Sequence, residues 1–193
     1  MPIYNEFLII KIFFDVFIIS FWLFVLFSNN KQQELISVFS VPLKKESLLY
    51  IFKILAFFLL VSIFSFFAEN LVKTFGLSYE DEFELIFKSL SSSFFYVLYL
   101  GVVITGPISE ELFFRKFLFE FFRKKINFWF SSIFVSLFFS VGHSSFLASF
   151  LYSMILCKVY ESKKDLRLNF IIHILWNLIM LGVLFLLSLY AVF

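Results

Sequence analysis

The side chains best suited to chemistry stand near the middle of the chain, where two adjacent carboxylates interrupt an apolar run. Glu110 and Glu111 are followed by Arg115, and each charge in lipid costs roughly 2.5–3.5 kcal/mol on insertion scales, so the cluster needs a function or a partner. Glu111 and Arg115 are four residues apart and would pair on one face of a helix. Glu110 lies about 100° round the helix from Glu111. We therefore expect Glu110 to be the reactive carboxylate.

The chain has only two histidines, and both lie in apolar segments. His143 follows Phe139 by one helical turn, and His173 precedes Asn177 by the same interval, so each pair would share a helix face. One such histidine alone is often a hydrogen-bonded packing residue. Packing explains the whole set poorly, because two histidines, an asparagine, two glutamates and an arginine are costly together in one apolar half. We interpret them as one site.

Together these side chains suit amide hydrolysis without a serine or cysteine nucleophile. A carboxylate in a low-dielectric pocket is a stronger base and can activate water, and a neutral imidazole beside it can orient that water. A second imidazole with a neighbouring carboxamide offers two donors to the oxyanion of a tetrahedral intermediate. The same residue types also bind zinc. Since the sequence has no His-Glu-x-x-His pattern, the zinc alternative depends on ligand types alone.

The composition indicates an integral membrane protein. Of the 193 residues, 62% are hydrophobic and the mean hydropathy is +0.98, whereas an ordinary soluble domain is about 45–50% apolar. The net charge of +2 is too small to indicate a nucleic acid or an acidic partner. Cys157 is the only cysteine, which excludes an internal disulfide and a cysteine-based metal cluster.

The apolar runs predict an all-α fold, a polytopic membrane helix bundle of about seven spans. The predicted spans cover residues 7–28, 47–68, 85–106, 108–122, 127–143, 145–158 and 168–192. The fourth, fifth and sixth are short for a hydrocarbon layer of about 30 Å. Backbone ends at that depth are tolerated only where protein or water satisfies them, so we expect the short helices to line a polar intramembrane cavity. Pro107 is predicted to mark the start of the fourth helix.

We expect one integrated membrane domain with two parts. Residues 1–84 form N-terminal spans and connecting loops, and residues 85–193 form the catalytic helical core. Basic clusters at 123–125 and 158–167 indicate that these two turns face the cytoplasm. The acidic loop at 69–84 would then lie on the same side, so charge alone leaves the orientation open.

Three motifs in this order resemble those of the CAAX-protease and bacteriocin-processing family of intramembrane proteases, which includes the type II CAAX prenyl endopeptidases. They are Glu-Glu-x-x-x-Arg at 110–115, Phe-x-x-x-His at 139–143 and His-x-x-x-Asn at 173–177. All three patterns are complete, and the resemblance covers about residues 85–192. It implies a multi-helix bundle with a polar cavity and an endopeptidase activity.

The resemblance also implies a role for each motif residue. Glu110 would be the general base, and His143 would position the attacking water. His173 and Asn177 would form the oxyanion hole. Glu111 and Arg115 would be the pair that supports the site.

The resemblance leaves the presence of zinc open, because members of the family have been described as metalloproteases and the motifs also fit a metal-free mechanism. If a metal is present, we expect Glu110, His143 and His173 to bind it. The expected partners are the lipid bilayer and a membrane-associated peptide or protein substrate, with no nucleic acid. The expected location is a bacterial cytoplasmic membrane.

Two other functions compete with the protease. The first is a non-catalytic bacteriocin immunity or peptide-binding membrane protein that uses the same fold. The second is a small transporter whose intramembrane glutamates and histidines relay protons, although the two halves of the chain show no inverted repeat. For the protease, a prenylated CAAX tail, a bacteriocin precursor and a signal peptide all remain open as substrates.

Overall fold

The computed structural model describes residues 13, 16–21, 45–73, 101–143 and 145–191, with only the backbone described for 69–73 and 184–191. Within these ranges the chain is helical and contains no strand, which confirms the predicted all-α class. The predicted spans at 7–28 and 85–106 lie largely outside the described residues, so the seven-span bundle stays a prediction. The helices are α1, Lys45–Lys73; α2, 101–123; α3, Phe128–Val141; α4, Phe146–Lys163; and α5, Leu166–Ala191.

Two of these helices are long and apolar enough to cross a bilayer, through Lys45–Ala68 of α1 and Leu166–Val183 of α5. They correspond to the spans predicted at 47–68 and 168–192. Much of α1 faces outward with large apolar side chains, including Phe52 and Phe67, which are 69% and 68% exposed. An apolar face of this size is suited to lipid contact.

Helix α2 does not begin at Pro107, so that prediction is wrong. The described helix runs without a break from residue 101 to residue 123, and the predicted boundary between the third and fourth spans is absent. Proline lacks the N–H that a regular helix needs and clashes with the carbonyl four residues earlier. The wider π turn of Gly101–Thr105, which ends two residues before Pro107, accommodates both defects.

A second wide stretch follows the carboxylates, because α2 is α-helical over Gly106–Glu110 and π-helical over Glu111–Phe119 before it ends in Glu120–Arg123. Glu110 and Glu111 therefore lie inside a continuous helix, away from any helix N-terminus. The charge of Glu111 is compensated by Arg115, one turn further along the same helix, and by two side chains of α5, instead of by the helix dipole.

Helix α4 is longer than predicted, since it runs through Lys163 instead of ending near residue 158. Val159 and Tyr160 are buried, and their packing keeps the polar stretch helical. Lys164 then adopts a left-handed conformation with φ 51°, which ends the helix. The predicted polar turn at 158–167 is thus reduced to residues 164–165.

Helix α3 begins after Asn127, which caps it by accepting a hydrogen bond from the Phe130 N–H at 3.1 Å.

Small side chains let α3 and α4 approach closely. The buried faces of both helices carry serines, which allow close packing between membrane helices. These buried serines are Ser131, Ser132, Ser136 and Ser140 on α3, with Ser149 and Ser153 on α4.

Two apolar clusters hold the described helices together. One joins α1, α4 and α5 around Phe58, Leu156 and Ile172. The other joins α2, α3 and α4 around Phe119, Val135 and Cys157, with Tyr160 at its edge. The polar residues of α2 are consequently held against α3, α4 and α5.

Candidate active site

The two adjacent glutamates of α2 have different surroundings. Glu111 is fully buried, whereas the Glu110 side chain is 18% exposed and reaches toward both histidines. This difference follows from the helix, because consecutive residues lie about 100° apart and cannot face the same neighbours. Only Glu110 is placed to meet a molecule that enters from outside.

Glu111 is surrounded by donors from two helices. Its Oε1 lies 3.1 Å from Arg115 Nη1, as an ion pair, and accepts a hydrogen bond from His173 Nδ1 at 2.9 Å. Its Oε2 accepts a bond from Asn169 Nδ2 at 3.0 Å. The predicted pairing of Glu111 with Arg115 is therefore present, and the carboxylate also has partners that were not predicted.

Arg115 is fully buried and has contacts beyond the ion pair. Its Nη2 donates to Ser153 Oγ at 3.2 Å, across to α4. Its guanidinium carbon lies 5.0 Å from the centre of the Phe139 ring, a cation–π contact. The same ring stacks on His143, with 4.3 Å between centroids and 21° between planes. The Phe139 ring thus lies between the buried Arg115 guanidinium and the His143 imidazole.

The ring nitrogens of both histidines meet Glu110. His173 Nε2 lies 3.7 Å from Glu110 Oε2, and His143 Nε2 lies 4.0 Å from the same oxygen. These separations are too long for direct hydrogen bonds, and they suit bridging by a small intervening group. The structure therefore brings together the acid and the two imidazoles that the motifs place on three separate segments.

The partners of the other ring nitrogens determine the histidine tautomers. His143 Nδ1 lies 2.7 Å from the Phe139 carbonyl oxygen, and His173 Nδ1 lies 2.9 Å from the Glu111 carboxylate. Both partners are acceptors, so each Nδ1 carries the proton and each neutral ring presents a lone pair at Nε2. Three atoms with lone pairs then converge, an arrangement that favours a proton donor or a cation between them.

The donor types fit zinc, although their spacing is wide. Two histidines and a carboxylate are common zinc ligands, and each histidine already has the outer hydrogen bond typical of a metal site. Tetrahedral ligands at about 2.0–2.1 Å from zinc lie roughly 3.3 Å from one another, closer than the 3.7 and 4.0 Å here. Among the residues that the structure describes, no group of three such side chains is already close enough to hold a metal.

Asn177 lies one turn beyond His173 on α5 and contacts α2. Its Nδ2 donates to the Val102 carbonyl oxygen at 2.8 Å, within the π turn of Gly101–Thr105. The bond fixes the direction of the carboxamide. The role predicted for His173 and Asn177 as an oxyanion hole stays a prediction.

Two residues of the site were not predicted from the sequence. Asn169 binds Glu111, and Ser153 binds Arg115. Asn169 could have been found, because it lies four residues before His173 and so shares a helix face with it. Ser153 had no such signal, since many serines are distributed along these apolar helices.

Comparison with known proteins agrees with the motif resemblance. Residues 92–179 match the family model described as Type II CAAX prenyl endopeptidase Rce1-like. All three motifs lie within the matched range, which is somewhat narrower than the expected 85–192. No curated protein and no solved structure matches the chain. The family resemblance is thereby confirmed.

Proposed function

Because residues 92–179 match the family model of Rce1-like type II CAAX prenyl endopeptidases, we propose that the chain is an intramembrane endopeptidase driven by a glutamate-activated water. The family consists of integral membrane proteins, and the two long apolar helices fit that class. The observation that supports the mechanism is the convergence of both Nε2 atoms on Glu110 Oε2.

The attack begins with water between Glu110 and the histidines. Glu110 accepts a proton from this water as its oxygen bonds to the peptide carbonyl carbon, and His143 Nε2 orients the water by accepting its other hydrogen. His143 suits this task because its side chain is 36% exposed and its ring is held by the bond to Phe139. The product of this step is a tetrahedral intermediate with a negative oxygen.

The intermediate is stabilised and then collapses. His173 becomes a donor when its Nε2 receives the proton from Glu110, and the Glu111 carboxylate at its Nδ1 stabilises the resulting imidazolium. Asn177 donates one N–H to Val102, and a carboxamide has a second N–H for the oxyanion. As the C–N bond breaks, the proton passes to the leaving amine, which leaves a carboxylic acid and an amine as products.

Zinc would change the chemistry of the site without changing the overall reaction. Glu110, His143 and His173 would hold it, and zinc would supply a Lewis acid that acidifies water and polarises the peptide carbonyl. Glu111 would keep its present task in that case, since it orients the His173 ring through Nδ1.

The proposed substrate is a membrane-associated peptide cleaved near the membrane surface. Candidates are a prenylated CAAX tail, a bacteriocin precursor and a signal peptide, and the proposed location is a bacterial cytoplasmic membrane. The apolar surface of the described helices supports a substrate that reaches the site from the bilayer.

The test uses the purified protein with three fluorogenic peptides. One carries a farnesylated cysteine followed by three residues, the second is the same peptide without the lipid, and the third is an apolar signal-type peptide. We expect cleavage of at least one peptide, and a loss of about 10²–10⁴-fold in kcat for Glu110→Gln and His143→Ala. Equal turnover by the wild type and Glu110→Gln would rule out the glutamate mechanism.

Metal content is measured on the same active preparation. One zinc per chain, with activity lost to a chelator and restored by zinc, would replace the metal-free mechanism by a zinc-dependent one. If Glu110→Gln instead preserves a cellular protection phenotype and no peptide is cleaved, the non-catalytic peptide-binding alternative is supported.

A further inference from the structure

Asn169, which lies outside the three motifs, is buried within the site. Its side chain is 0% exposed, and its Nδ2 donates to Glu111 Oε2 at 3.0 Å and to the Leu156 carbonyl oxygen at 2.9 Å. Both of these neighbours only accept hydrogen bonds, so the amide nitrogen, and not the amide oxygen, must occupy this position. The side chain therefore has one defined orientation, between α2 and α4.

Asn169 does not contact the His173 ring directly but is linked to it through the Glu111 carboxylate. Asn169 binds Oε2, while Oε1 accepts the bond from His173 Nδ1. A carboxylate is planar, so a fixed Oε2 also fixes the direction in which Oε1 faces His173. That bond sets the tautomer and the orientation of the ring, and the ring in turn directs Nε2 toward Glu110.

We propose that Asn169 is a positioning residue, which holds the Glu111 carboxylate so that His173 keeps its proton on Nδ1 and presents Nε2 to Glu110. The effect on turnover rests on the proposed function. The effect on the His173 ring does not, because the hydrogen bonds that produce it exist without substrate.

The kinetic test compares two variants that remove the donor in different ways. Asn169→Leu keeps a similar volume, and Asn169→Asp keeps the shape but places a carboxylate against Glu111. We expect kcat for the peptide that the wild type cleaves to fall roughly 10–100-fold, as when the outer partner of a functional ligand is removed. KM should change little, because Asn169 is fully buried and is not exposed to a bound substrate.

Leu168→Ala is the matched control for a general loss of packing. Leu168 is the preceding residue on α5 and is buried in the cluster that joins α1, α4 and α5. Its truncation removes core contacts and should lower thermal stability. We expect its kcat to remain close to that of the wild type.

A second measurement reads the His173 ring without any turnover. Since the chain has only two histidines, ¹⁵N NMR of histidine-labelled protein gives one set of ring signals for each, and His143→Gln assigns them. We expect wild-type His173 to be protonated at Nδ1, and its ring signals to move in Asn169→Leu. The His143 ring, whose Nδ1 is bound to the Phe139 carbonyl, should keep its signals.

The two measurements separate the two proposals. If the wild type cleaves no peptide while the His173 signals move in the Asn169 variants, the positioning role stands and the proposed function fails. Unchanged His173 signals would overturn the positioning role even in an active protease. If Asn169→Leu and Asn169→Asp do not assemble, Asn169→Ala provides the same comparison with a smaller change in the core.

Discussion

At the scale of single residues, two adjacent glutamates with identical side chains have different surroundings because they point in different directions from one helix. Glu111 forms an ion pair with a guanidinium and accepts hydrogen bonds from an imidazole and a carboxamide, so its buried charge is compensated. Glu110 is partly exposed and faces the Nε2 atoms of His143 and His173. The buried carboxylate organises the imidazole that the accessible carboxylate needs.

Replacing Arg115 should destabilise the protein strongly. Arg115→Met removes the buried cation and leaves the Glu111 charge without its ion pair, and breaking a buried pair in this way costs about 3–5 kcal/mol. The variant also loses the contacts of Arg115 with Ser153 and Phe139. Thermal unfolding in detergent measures the loss.

Lys116→Met is the control for this prediction. Lys116 is the next residue and pairs with Glu120 at 3.0 Å, but its side chain is 43% exposed. An exposed pair contributes only about 0–1 kcal/mol, so the melting temperature should hardly change. Similar melting temperatures for the two variants would contradict the importance assigned to the buried pair.

At the scale of elements, α2 connects the parts of the site along one continuous helix. It carries Val102, Glu110, Glu111 and Arg115, and it contacts α5 both through Asn177 and through the partners of Glu111. The π turn before Pro107 places the Val102 carbonyl where Asn177 reaches it. Deviations from the regular α-helix are common at functional sites, and here they determine which residues of α2 face α5.

The basic end of α2 should stabilise the packing against α4 in a pH-dependent way. Arg123 donates to Glu161 Oε1 at 2.9 Å and to the Ile126 carbonyl at 2.9 Å. The hydrogen bond from Arg123, with a smaller contribution from Lys164, holds the pKa of Glu161 below its ordinary value against the opposing effect of burial. Arg123→Ala should therefore lower stability at neutral pH by less than about 1 kcal/mol, because the pair is partly exposed.

The sign of the pH dependence follows from the lowered pKa. A group whose pKa is lower in the folded state stabilises the protein above its unfolded pKa, about 4.3 for glutamate, and loses that contribution as the pH falls through the folded value. The melting temperatures of wild type and Arg123→Ala should thus differ at pH 7 and converge in acid. A difference that persists in acid would assign the effect to the Ile126 contact.

At the scale of the whole molecule, the two basic turns lie at the same end of the described helices. Arg123 of α2 pairs with Glu161 of α4, and Lys158 of α4 lies over the Phe128 ring at the start of α3. At about 1.5 Å per residue, roughly 20 Å of helix separates Glu110 from Arg123. The site therefore lies well away from this basic end of the described helices.

Both basic turns should be accessible from the cytoplasm. Cys157, the only cysteine, is fully buried, so introduced cysteines can be labelled over a low background. Lys124→Cys and Lys163→Cys, both at exposed positions, should react with a membrane-impermeant maleimide in inverted vesicles and resist it in intact cells. Reaction of the two positions from opposite sides would contradict a common end.

Val141→Cys is the contrasting position for this experiment. Val141 is 79% exposed at the other end of α3, and it should not react from the side on which the basic turns react. If it does, both ends of α3 are reached from the same side, which would contradict a membrane between them.

The helical class, the membrane character and the Glu111–Arg115 pair could be predicted from the sequence because they depend on composition and on spacings within one helix. The four-residue interval places Glu111 beside Arg115 in any helix that contains both, and the structure confirms the pair. The start of a helix at Pro107 was predicted wrongly, because a π turn upstream makes room for the proline and no sequence rule for capping anticipates it.

Contacts between helices were decided only by the tertiary structure. Asn169 meets Glu111 across 58 positions of sequence, and the two Nε2 atoms approach one carboxylate oxygen only because α2, α3 and α5 pack together. Spacing along the chain determines which side chains share a face of one helix. Which faces then meet, and which ring nitrogen carries the proton, depends on packing and on hydrogen-bond partners that lie far away in the sequence.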